Sequence, residues 1–177
     1  MAEFFNFSNS SNSGAVTGNN VNAQYVGGIL GGTYLAAASP ACTLNLTTLA
    51  NSGTITGGAK VGGIAGFLGG IGTSSVSPSY FTLSSLTNSG AIKTPSRASA
   101  ASIYLGGIVG AIGANSSANY LDVTISDSSN SGDINSDQQG YIRTLGGIVG
   151  VIYPGAGTDV RATISNTTNS GTVYADM

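Results

Sequence analysis

Five short segments of the chain alternate apolar and polar residues in the same order. They are Phe5-Asn6-Phe7-Ser8, Leu44-Asn45-Leu46-Thr47, Phe81-Thr82-Leu83-Ser84, Val123-Thr124-Ile125-Ser126 and Ala162-Thr163-Ile164-Ser165. A period of two predicts a strand with one buried and one outer face. Four residues after the end of each segment stands the Asn of an Asn-Ser-Gly tripeptide, at Asn12, Asn51, Asn88, Asn130 and Asn169, with steps of 39, 37, 42 and 39 residues. Asn tolerates the left-handed region and bonds its own backbone, and Gly accepts positive φ, so the tripeptide predicts a fixed turn. Four positions past each Asn the apolar column returns as Val16, Ile55, Ile92, Ile134 and Val173, which predicts a short second strand.

A third segment follows in four copies: Gly27-Gly28-Ile29-Leu30-Gly31, Gly62-Gly63-Ile64-Ala65-Gly66, Gly106-Gly107-Ile108-Val109-Gly110 and Gly146-Gly147-Ile148-Val149-Gly150. Val26, Val61, Leu105 and Leu145 precede them, and the segment predicts a third strand. The connection between second and third strands ranges from the tight 57–60 to the long 93–104, so insertions leave the stack at elastic corners. The expected fold is all-β: a right-handed parallel β-helix, or β-solenoid, with about three strands per coil. Residues 1–177 form a single domain of four complete repeats of about 40 residues and a partial fifth, with turns at 12–14, 51–53, 88–90, 130–132 and 169–171. At about 4.8 Å per coil, the rod is roughly 20–24 Å long.

The Gly-Ile-(apolar)-Gly core of the third segment resembles the GLUG motif, a repeat of bacterial surface and secreted proteins. The resemblance covers essentially the whole chain through its four copies. It implies the β-solenoid stalk of an adhesin-like protein, at the cell surface or outside the cell. Some members of that family carry a metallopeptidase domain, but this chain has no His and so no His-Glu-x-x-His zinc site.

Composition narrows the chemistry further. There are five Lys or Arg, seven Asp or Glu, no His and no Trp, with a net charge of −2. So few scattered cations give no footprint for nucleic acid. No apolar run is long enough to span a bilayer as a helix, because Gly interrupts each one. Met1-Ala2-Glu3 does not open a secretory signal, so the chain is expected to have lost its leader or to be cut from a longer one. Histidine triads and Cys-His pairs are excluded, and no cofactor or metal is implied. Cys42 shares a column with Ser79, Leu121 and Val160 and is expected to be a small core residue. Asp122, Asp127, Asp133 and Asp137 cluster in the fourth repeat. Asp122 shares a column with Arg161, which predicts a surface ion pair. Asp127 falls in a turn-bonding column with Asn9, Thr48, Ser85 and Asn166. The expected protein is therefore not an enzyme.

Two surfaces carry the functional expectations. The outward positions of the first strand stack into two files of small polar groups, and the candidate binding face is Thr82, Ser84, Thr124, Ser126, Thr163 and Ser165. The files lie roughly 6.6–7 Å apart, a flat grid of the kind that carbohydrate or ice recognition uses. The consecutive apolar pair of the third strand cannot point both side chains inward in a regular strand, so one column faces out unless a bulge intervenes. That column, Leu30, Ala65, Val109 and Val149, is the candidate packing or assembly stripe, covered by another rod or by the chain's own 93–104 connection. Neither end of the chain shows a capping helix, which predicts further repeats or end-to-end self-association. The reading is thus a structural module of an extracellular adhesin or self-assembling filament. The alternative is a module that binds a host or surface glycan, or ice.

Overall fold

The computed structural model describes residues 3–18, 25–33, 42–69, 78–94, 103–113, 120–136, 142–154 and 159–175. Among these residues every regular element is a strand, and each strand pairs in parallel with its counterpart one coil away. The chain is a β-solenoid. The first sheet has five rungs: Glu3–Asn12, Cys42–Asn51, Ser79–Ser84 with Thr87–Asn88, Tyr120–Ser126 with Ser129–Asn130, and Asp159–Ser165 with Thr168–Asn169. The second sheet also has five, Val16–Thr17, Ile55–Thr56, Ile92–Lys93, Ile134–Ser136 and Val173–Ala175. The third has four, Tyr25–Gly27, Lys60–Gly62, Ile103–Gly106 and Ile142–Gly146. The fourth likewise has four, Leu30–Gly32, Ala65–Leu68, Val109–Gly113 and Val149–Tyr153.

The coil therefore has four strands, where the apolar pattern alone suggested about three. The Gly-Gly-Ile segment is not one strand but two, joined at a sharp corner. At the corner the amides of Ile64 and Ala65 both donate to the carbonyl of Ile108, each at 3.0 Å. The amides of Ile108 and Val109 converge in the same way on Ile148 O, at 2.9 and 3.0 Å. Two successive donors on one acceptor is bulge geometry, and it turns consecutive side chains to the same side. Ile64, Ala65, Ile108 and Val109 are all fully buried, while Leu30 and Val149 pack against the same core. The stripe Leu30, Ala65, Val109 and Val149 is thus interior, and the expectation that it faces out is corrected. The 95–102 part of the connection once considered as its cover lies outside the described residues.

A second phase change occurs in the first sheet. In Cys42–Asn51, Leu44 and Leu46 face in and Asn45 and Thr47 face out, as the alternation predicts. Thr48 then adopts φ 54°, and burial resumes on the opposite parity at Leu49 and Asn51. The same left-handed residue recurs at Asn9, Ser85, Asp127 and Asn166, with φ between 49° and 56°. The turn column was thus correctly placed three residues before the Asn. The Asn itself is not left-handed and lies inside the rod: Asn51, Asn88 and Asn130 are buried.

This inward turn creates an amide ladder. Asn12 Nδ2 donates to Gly14 O and to Asn51 Oδ1, both at 2.8 Å. Asn51 Nδ2 donates to Gly53 O at 2.8 Å and to Asn88 Oδ1 at 2.7 Å. Asn88 repeats the pattern onto Gly90 O and Asn130 Oδ1, at 2.9 and 2.6 Å. Asn130 does so onto Gly132 O and Asn169 Oδ1, at 2.8 and 2.7 Å. Each buried amide hydrogen thereby has an acceptor, which removes the cost of burying it. The Gly of the tripeptide serves close approach and not positive φ. A Cβ on Gly53 would strike Gly14 O, and one on Gly90 would strike Gly53 O.

The ladder meets the corner glycines of the preceding coil. A Cβ on Gly63 would collide with the Asn88 side chain, and one on Gly107 with that of Asn130. This contact pinches the interior into two apolar compartments. The larger, between the first and fourth sheets, holds Leu44, Leu46, Leu49, Ile64, Phe81, Leu83 and Ile108. The smaller, between the second and third, holds Ile55, Val61, Ile92, Leu105 and Ile134. At the terminal coils the same inward columns surface: Phe7 is 42 % and Ile164 42 % exposed, where Leu46 and Ile125 are 0 %.

Replacing Asn88 with Ala strands the second Nδ2 hydrogen of Asn51, Gly90 O and Asn130 Oδ1, and is expected to cost about 3–4 kcal/mol. The same change at Asn12, on the exposed end, should cost about 1 kcal/mol. Urea unfolding midpoints of the two variants give the comparison, and equal effects would refute the ladder's role. Thr48→Asn, at the one left-handed position held by a β-branched residue, should stabilise by about 0.5–1 kcal/mol in the same assay.

Candidate binding surfaces

The outer face of the first sheet carries the polar grid in strict register. Asn6, Asn45, Thr82, Thr124 and Thr163 are successive partners, as are Ser8, Thr47, Ser84, Ser126 and Ser165. Thr82, Thr124, Thr163 and Ser165 are exposed, and Ser84 and Ser126 are half-buried. The first two members of the outer file bond one another, Asn45 Nδ2 donating to Asn6 Oδ1 at 2.9 Å. The structure thus brings all six face residues into two parallel files.

The carboxylates do not converge. Asp127 occupies a left-handed turn position and accepts a hydrogen bond from Asn166 Nδ2 at 3.2 Å. Asp133 Oδ1 accepts from the Thr172 amide at 2.9 Å. Asp137 lies outside the described residues. Asp122 and Arg161 are register partners, as their shared column requires, but Arg161 Nη2 closes on Asp159 Oδ2 at 3.0 Å instead. Asp159 and Arg161 lie on the same outer face of one strand, and the guanidinium takes this carboxylate two residues away in place of the one on the neighbouring coil. Both side chains are open to solvent, so the pair contributes little. Among the described residues, no group of three or more His, Cys, Asp or Glu could hold a metal. Cys42 is buried in the larger compartment beside Ser79, whose Oγ accepts from the Cys42 amide at 3.1 Å.

A second surface was not read from the sequence. Beyond the Gly-Gly-Ile corner the third and fourth sheets turn their outer faces toward one another and pack in contact. Glycine permits the approach: a Cβ on Gly66 would meet the Val26 amide, and one on Gly110 the Val61 amide, both at 2.5 Å. An aromatic cluster borders the contact. Tyr25 stacks on Phe67 with centroids 4.9 Å apart, and Phe67 on Tyr153 at 6.4 Å. Tyr104 leans on Tyr153 at 6.1 Å. Lys60 Nζ stands 4.6 Å from the centroids of both Tyr25 and Phe67 and 5.7 Å from that of Tyr153. Phe67 is fully buried beneath these neighbours although it belongs to neither interior compartment. Burial lowers the pKa of Lys60 from its ordinary value. It also raises that of Tyr153 to about 12, helped by the charges Tyr25 and Tyr104 would carry when ionised.

Tyr25, Lys60, Tyr104 and Thr144 form one file on the third sheet. Their position, directly before the apolar residue that precedes each Gly-Gly, is the signal the sequence offered. It could not show that Phe67 and Tyr153 of the fourth sheet lie across from that file, because the apolar pattern runs through the corner as through one continuous strand.

At the first coil, an apolar cavity of about 190 Å³ is lined by Phe5, Phe7, Leu30, Thr33, Cys42, Leu44 and Phe81. No helix among the described residues is long and apolar enough to cross a membrane. No protein-family model, curated protein or solved structure matches this chain. The likeness to the GLUG repeat accordingly rests on the four-residue Gly-Ile-(apolar)-Gly core.

Because Tyr153 titrates above the usual tyrosine value, the folded chain holds its proton where the unfolded chain has lost it. The stability this gives is present below about pH 10 and falls as the pH rises through about 12. Thermal melts between these limits should show a steeper decline for the wild type than for Tyr153→Phe; parallel declines would contradict the assignment.

Proposed function

We propose that the chain is a non-enzymatic structural module of an extracellular adhesin or surface filament, the role the GLUG likeness implies. The observation that carries the reading is the unbroken inner ladder from Asn12 to Asn169, which ties every coil to the next through side-chain amides as well as backbone. A rod so built resists shear between coils, because sliding one coil breaks ladder and sheet bonds together. The terminal coils display the apolar columns that interior coils cover, Phe5 and Phe7 at one end and Ile164 and Val173 at the other. These columns suit contact with further repeats or with a second copy.

The register of the Thr and Ser files supports a second reading, a face that binds carbohydrate or ice. Stacked hydroxyls at the strand spacing form a flat, hydrogen-bonding lattice.

Sedimentation velocity and negative-stain imaging of the purified chain over a range of concentrations test the first reading. Rods several molecules long that grow with concentration are expected. A single monomeric species throughout would remove self-assembly from the proposal. Thr124→Lys with Thr163→Lys tests the second reading: assembly kept and glycan or ice activity lost would move the function to the face.

A further inference from the structure

The aromatic cluster where the third and fourth sheets meet holds a cation with no anionic partner among the described residues. Lys60 is half-buried and its ammonium rests on the ring faces of Tyr25 and Phe67. A cation over a ring is attracted to the π cloud but gives none of its three N–H donors a lone pair. Among the described residues no carboxylate lies in salt-bridge range of Lys60, the salt bridge present being Arg161 with Asp159. No hydrogen bond among them uses its donors either. The described aspartates stand elsewhere: Asp122, Asp127 and Asp159 on or beside the first sheet, Asp133 at the edge of the second. Lys60 thus has no carboxylate partner among the described residues, on a chain whose net charge is −2.

Around this cation the tyrosines supply a different capability. Tyr25, Tyr104 and Tyr153 come from three different coils, the first, third and fourth, and each is partly exposed. Each presents an apolar ring body and a polar hydroxyl, a pairing suited to surfaces that are apolar on one side and wet on the other. The apolar face of a pyranose packs on such a ring while its hydroxyls meet the phenol and water. A carboxylate on the same sugar supplies the acceptor that the Lys60 donors lack, in a charge-assisted hydrogen bond. These side chains come from coils stacked about 4.8 Å apart along the rod, so the cluster suits an extended chain of sugar units more than a single compact molecule.

We propose that this surface cluster, with Lys60 at its centre and the partly exposed Tyr25, Tyr104 and Tyr153 around it, binds an acidic oligosaccharide. Lys60 pairs with a uronate carboxylate and the tyrosine rings take the sugar faces. The site is separate from the Thr and Ser grid on the first sheet. It is also independent of self-assembly, so a chain that proves monomeric can still bind here.

The chain has no Trp, and three of its eight Tyr belong to the cluster, so a change in tyrosine fluorescence follows binding there once Lys60→Gln provides the reference. The probes are a galacturonate hexamer and the same hexamer fully methyl-esterified, titrated into the folded wild-type chain. Saturable binding of the acidic hexamer is expected, weakening as salt is added. The ester should bind at least about ten-fold more weakly, the loss expected when one charge-assisted pair is removed. Lys60→Gln should show a loss of the same size, Tyr104→Ala should bind less, and Lys93→Gln, which removes an exposed charge on the second sheet, should bind as the wild type does. If Lys60→Gln melts early, Lys60→Arg keeps the charge and must retain binding. No saturable binding of the acidic hexamer, equal affinity for acid and ester, or wild-type affinity in Lys60→Gln would each overturn the proposal.

Discussion

The rest of the structure depends on one constraint: an amide side chain buried at every coil must find partners for all its polar atoms. Asn meets it by donating once to the carbonyl of the Gly two residues on and once to the Asn of the next coil. Both bonds demand that successive coils superimpose almost without offset. That in turn demands glycine where the backbones of adjacent coils nearly touch, as at Gly53 and Gly90. The ladder so fixes register without any help from the varied connections, whose lengths differ from coil to coil. It also has a direction, since every Nδ2 points to the following coil.

The ladder could not form without the left-handed residue three positions earlier. A regular strand continuing from Leu46 would place Asn51 on the outer face. One residue at φ near 50° reverses the alternation and brings the amide inside. The cost of holding a side chain there falls on Asn, Asp, Ser and Thr, the first two of which tolerate it best. The corner after Gly-Gly does the complementary work from the opposite wall. It carries a side-chain-free backbone up to the ladder, splits the interior into two compartments, and folds the outer faces of the third and fourth sheets toward each other. The aromatic cluster that holds Lys60 is the external consequence of that internal contact.

Much of this order was legible in the chain. The columns at Leu44 and Leu46, their equivalents, and the outward files of Thr and Ser fell where period-two alternation put them, because a sheet with one buried face admits no other register. The burial of Cys42 followed from its column in the same way. The third segment was misread for a physical reason. Periodicity assumes a straight strand, and convergence of two amides on one carbonyl is a tertiary event that leaves no mark on the alternation. The apolar stripe Leu30, Ala65, Val109 and Val149 therefore looked external and is internal. The ion pair of Arg161 shows the limit at finer scale: the column correctly named Asp122 as a neighbour, but the rotamer selected Asp159.

The sequence by itself determined the repeat, the parallel stacking and the polar character of the first sheet's outer face. Those properties follow from composition at fixed spacing, and each coil enforces them on its neighbour. Only the tertiary structure decided which way the Asn pointed, that Gly-Gly-Ile is a corner, and that aromatic residues from several coils meet around Lys60. Such outcomes depend on how two walls of the coil approach one another. That distance is set by glycines whose missing side chains the sequence shows, but whose partners it does not.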